Sequence, residues 1–467
     1  MTMTRSKQSG MAPGTGGIER AYTDRTPGSA VLARRARKLL PSGVVHDSRH
    51  IRPHGLYVTE AKGAHKWDTD GNRYIDYFGG HGALLLGHNP PEIIQAVSEQ
   101  LARGTHFAAS TEAELRWAEA IARLVPSAEK LRFHSSGTEA TQMAVRLARA
   151  ATGKPRLMRF HCHYHGWQDD MTTGYASHFD SGAPAGVPGA TAALTLALDP
   201  YDEETVARHL HEDDDIAAVI LEPLGAATGK VPLSPGFLRR LRAWTEAAGV
   251  VLIFDEVITG FRATPGGVQA ETGVMPDLTT MAKIVAGGLP GGAVAGRADL
   301  FDSLDFDASA RTGREKIYHP GTFNACPLSA AAGAVALDMI ADGTACARAS
   351  ARAADLRAGM NAALRERGVA WHVHGRHSAF HICLAPALVD LLPDPDDARL
   401  ASLGRAGLQA QPPDIARLLR LALNLQGVDF SGWPGGLVSA AHTQVDIEET
   451  VAAFANALDM LRGEGVL

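Results

Sequence analysis

Val250-Val251-Leu252-Ile253-Phe254-Asp255-Glu256-Val257 is an apolar run that ends in two carboxylates, and Lys283 follows it just ahead of Gly287-Gly288-Leu289-Pro290-Gly291-Gly292. The run is short, β-branched and closed by charge, so it reads as a strand covered on both faces. Further short apolar strands lie at 131–133, 157–160, 217–221 and 293–296, separated by segments with helical spacing. Strands alternating with helices predict an α/β architecture in which a mostly parallel sheet lies between helices.

Upstream, 29–40 has helical spacing and should stop at Pro41-Ser42-Gly43, after which 44–49 is expected to be extended. Residues 63–76 read as a hairpin turning at Asp68-Thr69-Asp70-Gly71-Asn72. Helices follow at 91–103 and 111–124, the second opened by the capping-box pattern Thr111-Glu112-Ala113-Glu114. Residues 181–193 lack periodicity and suit a mobile lid, and 327–340 is a small-residue helix opened by proline. Beyond it come a helix (354–367), strands (369–384), a helix (414–425), a strand (437–441) and a final helix (447–461), which read as a second α+β domain. The expected division is a disordered tail 1–26, an N-terminal segment 27–85, a large domain 86–340 and a small domain 341–467.

At 467 residues the chain can build two or three lobes, and its 45% hydrophobic and 21% charged residues suit a globular enzyme. No apolar run approaches the ~18 residues of a membrane span, so no membrane partner is expected. A net charge of -6 offers no basic surplus for nucleic acid. Cys162, Cys326, Cys346 and Cys383 are scattered without a CxxC pair, which suits a reducing cytoplasm.

A lysine amine can join an aldehyde, and a carboxylate in a dry site can keep a pyridine nitrogen protonated. Lys283 and Asp255 together therefore point to pyridoxal phosphate (PLP). Taken singly, Asp255 could cap the next segment and Lys283 could be a surface lysine. Phe133-His134-Ser135-Ser136-Gly137-Thr138-Glu139-Ala140 is a strand end, a turn and a helix start, whose free amides and hydroxyls at Ser136 and Thr138 suit a phosphate. Either hydroxyl could equally be a plain N-cap. In His161-Cys162-His163-Tyr164-His165-Gly166-Trp167 the Tyr164 ring suits stacking on a pyridine. The rival is a metal site built from His161, Cys162, His163 and His165, but no second cluster with ligand spacing accompanies it and no metal is expected. Thr322, in His319-Pro320-Gly321-Thr322-Phe323-Asn324, could add a phosphate contact. Arg49 could hold a substrate carboxylate by two parallel hydrogen bonds. His81, set among three glycines, could touch substrate or bond to backbone.

In these motifs the chain resembles the class III, fold type I, PLP-dependent aminotransferases over nearly its whole length. The marks are Ser136-Gly137-Thr138-Glu139-Ala140, Tyr164-His165-Gly166, Glu222-Pro223, Asp255-Glu256-Val257, Lys283 and Gly321-Thr322. Val438-Ser439-Ala440-Ala441-His442 and the residues after Asp255 are similar to the branch of D-phenylglycine aminotransferase and glutamate-1-semialdehyde 2,1-aminomutase. The resemblance implies a seven-stranded sheet in a large PLP-binding domain, plus a small α+β domain from the N- and C-terminal segments. It implies Lys283 as the Schiff-base lysine, Asp255 on the ring nitrogen, Tyr164 on the ring, and Ser136, Gly137 and Thr138 on the phosphate. Thr322 would reach the cofactor of a second subunit, making a homodimer with active sites at the interface. Arg49 falls where the branch keeps its carboxylate-binding arginine. The expected reaction is amine transfer between an amino acid, of aromatic or D-arylglycine type, and a 2-oxo acid such as 2-oxoglutarate. The aminomutase is the alternative, but it has a Ser-Trp pair where this chain has Gly80-His81, and an acidic residue where this chain has Pro434.

Overall fold

A computed structural model describes residues 16–384 and 412–467. A hairpin of β1 (Val58–Lys62), β2 (His65–Asp68) and β3 (Arg73–Asp76) precedes β4 (Lys130–His134), β5 (Arg156–Phe160), β6 (Thr195–Leu198) and β7 (Ile216–Leu221). The two-residue β8 (Val231–Pro232), then β9 (Val251–Asp255), β10 (Leu278–Ala282) and β11 (Gly292–Gly296) follow. The C-terminal part adds β12 (His372–His374), β13 (Ala379–Cys383), β14 (Val428–Asp429) and β15 (Gly435–Leu437).

The large sheet has seven strands in the order β4-β11-β10-β9-β7-β5-β6. Only β11 runs against the rest, pairing antiparallel with both β10 and β4. Its two faces are covered separately. Met143, Ala144 and Leu147 of the Gly137–Thr152 helix meet Ile253 and Val294 on one face, while Phe237, Leu238 and Leu241 of the Pro235–Ala248 helix meet Leu252 and Phe254 on the other. This double cover is why β7 and β9 are apolar at nearly every position rather than alternating.

Two strands of this sheet, β6 and β10, fall outside the apolar runs legible in the sequence. β10 is Leu278-Thr279-Thr280-Met281-Ala282, and all five residues are buried although two carry hydroxyls. Thr279 escapes the cost of burial by bonding to Ser127 and Gln269.

The chain's two ends build the small domain together. β14 adds in parallel to β3 of the N-terminal hairpin, completing a four-stranded sheet, while β12, β13 and β15 form a separate three-stranded sheet. Gly16–Arg25, inside the stretch expected to be a disordered tail, is a helix; residues 1–15 lie outside the described residues. Its Ile18 and Tyr22 are buried in the core formed by the Pro413–Leu425 and Gln444–Gly463 helices. Burial of a side chain such as Ile18 stabilises by about 1.5–3 kcal/mol. The Tyr22 hydroxyl donates to the His54 carbonyl at 3.0 Å, and Arg417 pairs with Glu19. With only two apolar anchors in a polar segment, the helix has no amphipathic stripe for a sequence reading to find.

The last strand occupies Gly435–Leu437 rather than 437–441, because Val438 onward bends to hydrogen-bond Ser378 and Leu85. Residues 47–49, expected to be extended, form a 3-10 turn whose His46 side chain accepts from the Ser48 amide. No single helix among the described residues is long and apolar enough to cross a membrane.

Candidate active site

The carboxyl ends of β4, β5, β7, β9 and β10 point the same way, and open α/β sheets hold their ligands in the crevice beyond such ends. β9 ends in Asp255, which is 5% exposed. Val257 N donates to its Oδ1 at 3.0 Å and His165 Nδ1 donates to its Oδ2 at 2.6 Å. Burial lowers the His165 pKa against the pull of Asp255, so the ring is neutral. Asp255 is thus a buried carboxylate held in place by neutral donors, and no cation of the described residues pairs with it. A group bearing an N–H⁺ would complete it.

β10 lies beside β9 with Thr280 opposite Asp255, so the chain brings Lys283 out just past the strand ends. Lys283 sits in the left-handed region, φ 57°, a strained conformation of the kind that concentrates at functional sites. Burial lowers its pKa; the charges of Asp255 and Glu222 oppose that, and Arg262 adds to it. The amine is therefore easier to deprotonate than a lysine in water.

Ser136 is the N-cap of the Gly137–Thr152 helix, accepting from Glu139 N at 3.2 Å. The plain capping reading and the phosphate reading coexist, because the first helical amides, those of Gly137 and Thr138, have no intrahelical acceptor. Gly292 makes this close approach possible: a Cβ there would lie 2.6 Å from the Ser136 carbonyl oxygen. Thr141 Oγ1 donates to the His165 carbonyl at 2.6 Å and ties this helix to the loop after β5.

That loop carries Tyr164, 46% exposed, with its ring tilted against Tyr175 at 5.0 Å. Its amide donates to Glu222 Oε1 at 2.8 Å, and Glu222 N donates to His163 Nδ1 at 2.9 Å. Burial pushes the Glu222 carboxyl up to about 7, helped by the Asp255 charge and opposed by the amides of Tyr164, Thr228 and Ala227. Arg159, fully buried, donates to the carbonyls of Met171 and His163 and fixes the loop from below. The histidines once open to a metal reading point to separate partners: His161 meets the Phe179 carbonyl, His163 meets Glu222, and His165 meets Asp255. Among the described residues no three His, Cys, Asp or Glu side chains are grouped to hold a metal ion.

His81 is half-buried and Arg49 exposed, and the charges of both Arg49 and Lys283 act on His81. Burial first, then the charges of His46, Arg49 and Lys283, lower the His81 pKa to about 4. Thr322 is not brought to this site within one chain. It lies in an exposed loop where its carbonyl meets His106 Nε2 at 2.6 Å, next to the exposed Phe323.

Sequence reasoning missed two side chains that hold the cleft residues in place. His165 was weighed only as a metal ligand, and Arg262 not at all. Arg262 is buried and donates to Gly82 O at 2.7 Å, Ser378 Oγ at 2.8 Å and Val438 O at 3.4 Å, joining the glycine turn to the small domain. Its only sequence signal is its place eight residues into the run that starts at Asp255.

A buried carboxylate lacking a cation, a lysine of lowered pKa, an exposed tyrosine ring and a free helix start fit the ring nitrogen, aldehyde, ring face and phosphate of PLP. Comparison with known proteins agrees. The profile of the family "Aminotransferase class-III" matches residues 46–380. A glutamate-1-semialdehyde 2,1-aminomutase from Methanopyrus kandleri is 36% identical over 450 residues, 95% of this chain and 100% of its own. Among solved structures, an omega-transaminase from Sphaerobacter thermophilus superposes with a TM-score of 0.84 at 35% identity, covering 94% of this chain and 99% of its own. A beta-phenylalanine aminotransferase from Variovorax paradoxus gives 0.82 at 30% identity, covering 96% and 97%.

Proposed function

This chain belongs to the class-III aminotransferase family, enzymes of PLP fold type I, and from that membership we propose that it moves an amino group between an amino acid of aromatic or D-arylglycine type and a 2-oxo acid such as 2-oxoglutarate. The observation that carries the reading is the meeting of Lys283 with the Asp255–His165 pair just beyond the ends of β9 and β10. PLP is the cofactor, and when bound it supplies an aldehyde that condenses with amines and a protonated ring that draws electrons from the substrate α-carbon.

Asp255 would hold the ring nitrogen, its two oxygens already oriented by His165 and Val257. Tyr164 would cover the ring face, and Ser136, Gly137 and Thr138 would hold the phosphate at the helix start. Lys283, with its ammonium form disfavoured by burial, takes the proton from the donor's α-carbon and later returns it. Thr322 serves the phosphate site of a second copy, so the working unit is a homodimer with active sites at its interface. The exposed Tyr318 and Phe323 around it support an interface there. That no disulfide joins Cys162, Cys326, Cys346 or Cys383 supports a cytoplasmic setting.

Arg49 holds the donor carboxylate, and His81 lines the substrate side. For Arg49→Ala, loss of a charged bidentate contact should raise the KM for the amino acid about 10- to 100-fold with a much smaller change in kcat. Steady-state kinetics check this, and an unaltered KM removes Arg49 from the site.

A panel of amino donors with 2-oxoglutarate, followed by coupled detection of glutamate, tests the reaction itself. Turnover is expected with arylglycines. The second reading, intramolecular amine transfer, draws on the 36% identity to the aminomutase. Purified protein given glutamate-1-semialdehyde and no oxo acid should form no 5-aminolevulinate at a useful rate; if it does, the aminomutase reading replaces the transaminase one.

A further inference from the structure

The side of the cleft next to Lys283 is built from an unusual turn. Gly79, Gly80, His81 and Gly82 all have left-handed backbone, with φ 49°, 60°, 57° and 93°. A β-carbon at that conformation is strained, so His81 is held there against a cost, and the turn fixes where its ring points. The ring lies nearly flat on that of His46, with centroids 4.5 Å apart and planes 18° from parallel. Phe78 meets it edge-on at 5.4 Å and 83°. The neighbouring Gly82 abuts the lysine itself: a Cβ there would lie 3.8 Å from Lys283 Cδ.

His46 is not loosely placed. Its Nδ1 accepts from Ser48 N at 3.2 Å and meets Ser48 Oγ at 3.0 Å, within the same 3-10 turn, Asp47–Arg49, that carries Arg49. One short turn therefore carries both the His46 ring and Arg49. His81 stays uncharged near neutrality. His81 therefore offers a neutral π face beside Lys283 rather than a second cation.

We propose that His46 is a specificity-determining residue: with His81 it forms a two-imidazole shelf on which the aryl side chain of the amino donor lies while Arg49, on the same turn, holds the donor's carboxylate. This deepens the aminotransferase reading and rests on it. A flat arene gains offset-stacking energy on such a shelf, whereas a methyl side chain cannot.

The test uses the PLP-loaded enzyme with phenylglycine and alanine as donors. In His46→Ala the ratio of kcat/KM for phenylglycine to that for alanine should fall about tenfold, and His46→Phe, which keeps a flat ring, should restore it. Calorimetric binding of phenylacetate, which has no amine to transfer, should weaken by a similar factor in His46→Ala and recover in His46→Phe. An unchanged ratio in His46→Ala, equal loss for both donors, or a His46→Phe no better than alanine overturns the shelf. Wild type that binds phenylacetate in a His46-dependent way but transfers amine from no donor supports the shelf and sinks the transaminase reading alone. His46 is exposed, so both variants should fold.

Discussion

Lys283→Ala is expected to lower kcat by at least about 10³-fold while leaving the melting temperature of the cofactor-free protein unchanged or higher. Both halves follow from the same environment. The amine lies in a buried site that lowers its pKa, beside a carboxylate that β9 holds ready, so its removal deletes the base proposed to handle the α-carbon proton. A lysine whose charged form is disfavoured by burial stabilises the fold little, and alanine tolerates φ 57° no worse than lysine does. Steady-state kinetics and calorimetry read the two effects. Mass spectrometry after borohydride adds a third: wild type should retain the cofactor covalently and the variant should not. Undiminished turnover, or a label that persists in the variant, would mean that another lysine does the work.

Lys66→Met should destabilise the protein by about 3 kcal/mol at neutral pH, the largest stability effect expected of one surface-distant substitution here. Lys66 Nζ donates to Asp76 Oδ1 at 2.6 Å and Asp429 Oδ2 at 2.7 Å, and all three residues are buried. This joins β2 and β3 of the N-terminal hairpin to β14, so one cation holds the chain's two ends in one sheet. Removing it leaves Asp76 with His88 and the Phe78 amide, and Asp429 with Arg420 and Asn424, so two buried carboxylates lose the cation they share.

The pH dependence has a definite sign. Burial alone would raise the Asp76 and Asp429 carboxyls, but the Lys66 charge outweighs it, with help from His88 at Asp76 and Arg420 at Asp429, so both are depressed. Their contribution is present above the unfolded value of about 3.9 and is lost as pH falls below it. Lys66, depressed by burial but raised on balance by the two carboxylates, contributes below the unfolded value of about 10.4 and loses that contribution as pH rises beyond it. The gap between wild type and Lys66→Met should therefore be widest between about pH 5 and 9 and narrow below pH 4, where the variant's uncompensated carboxylates become protonated. Denaturant titrations across that range measure it. A constant gap would show that lost packing, not charge, is responsible. The network also reaches the proposed substrate side, because Lys66 Nζ and the Arg420 guanidinium lie 5.4 and 5.0 Å from the centroid of the Phe78 ring that abuts His81.

The elements easiest to foresee were those whose signal is local. Pro91–Arg103 and Pro327–Ile340 begin at a proline, and β7 and β9 are continuous apolar runs. β10, which delivers Lys283, was not foreseen as a strand, since its two threonines look solvent-facing until Ser127 and Gln269 arrive to bond one of them. The Gly16–Arg25 helix was likewise hidden, because its two anchors gain meaning only against helices formed some 400 residues later.

By itself the order of residues determined the alternation of strands and helices, the lysine and carboxylate proposed for the site, and the helix start at 136–138, because strand ends, turns and caps are encoded within a few neighbouring positions. Tertiary structure alone decided that His165 would orient Asp255 across 90 residues, that Arg262 would bind the glycine turn across 180, and that His46 would lie against His81. Such pairings depend on how separate elements close on one another in three dimensions, and no local pattern of side chains carries that information.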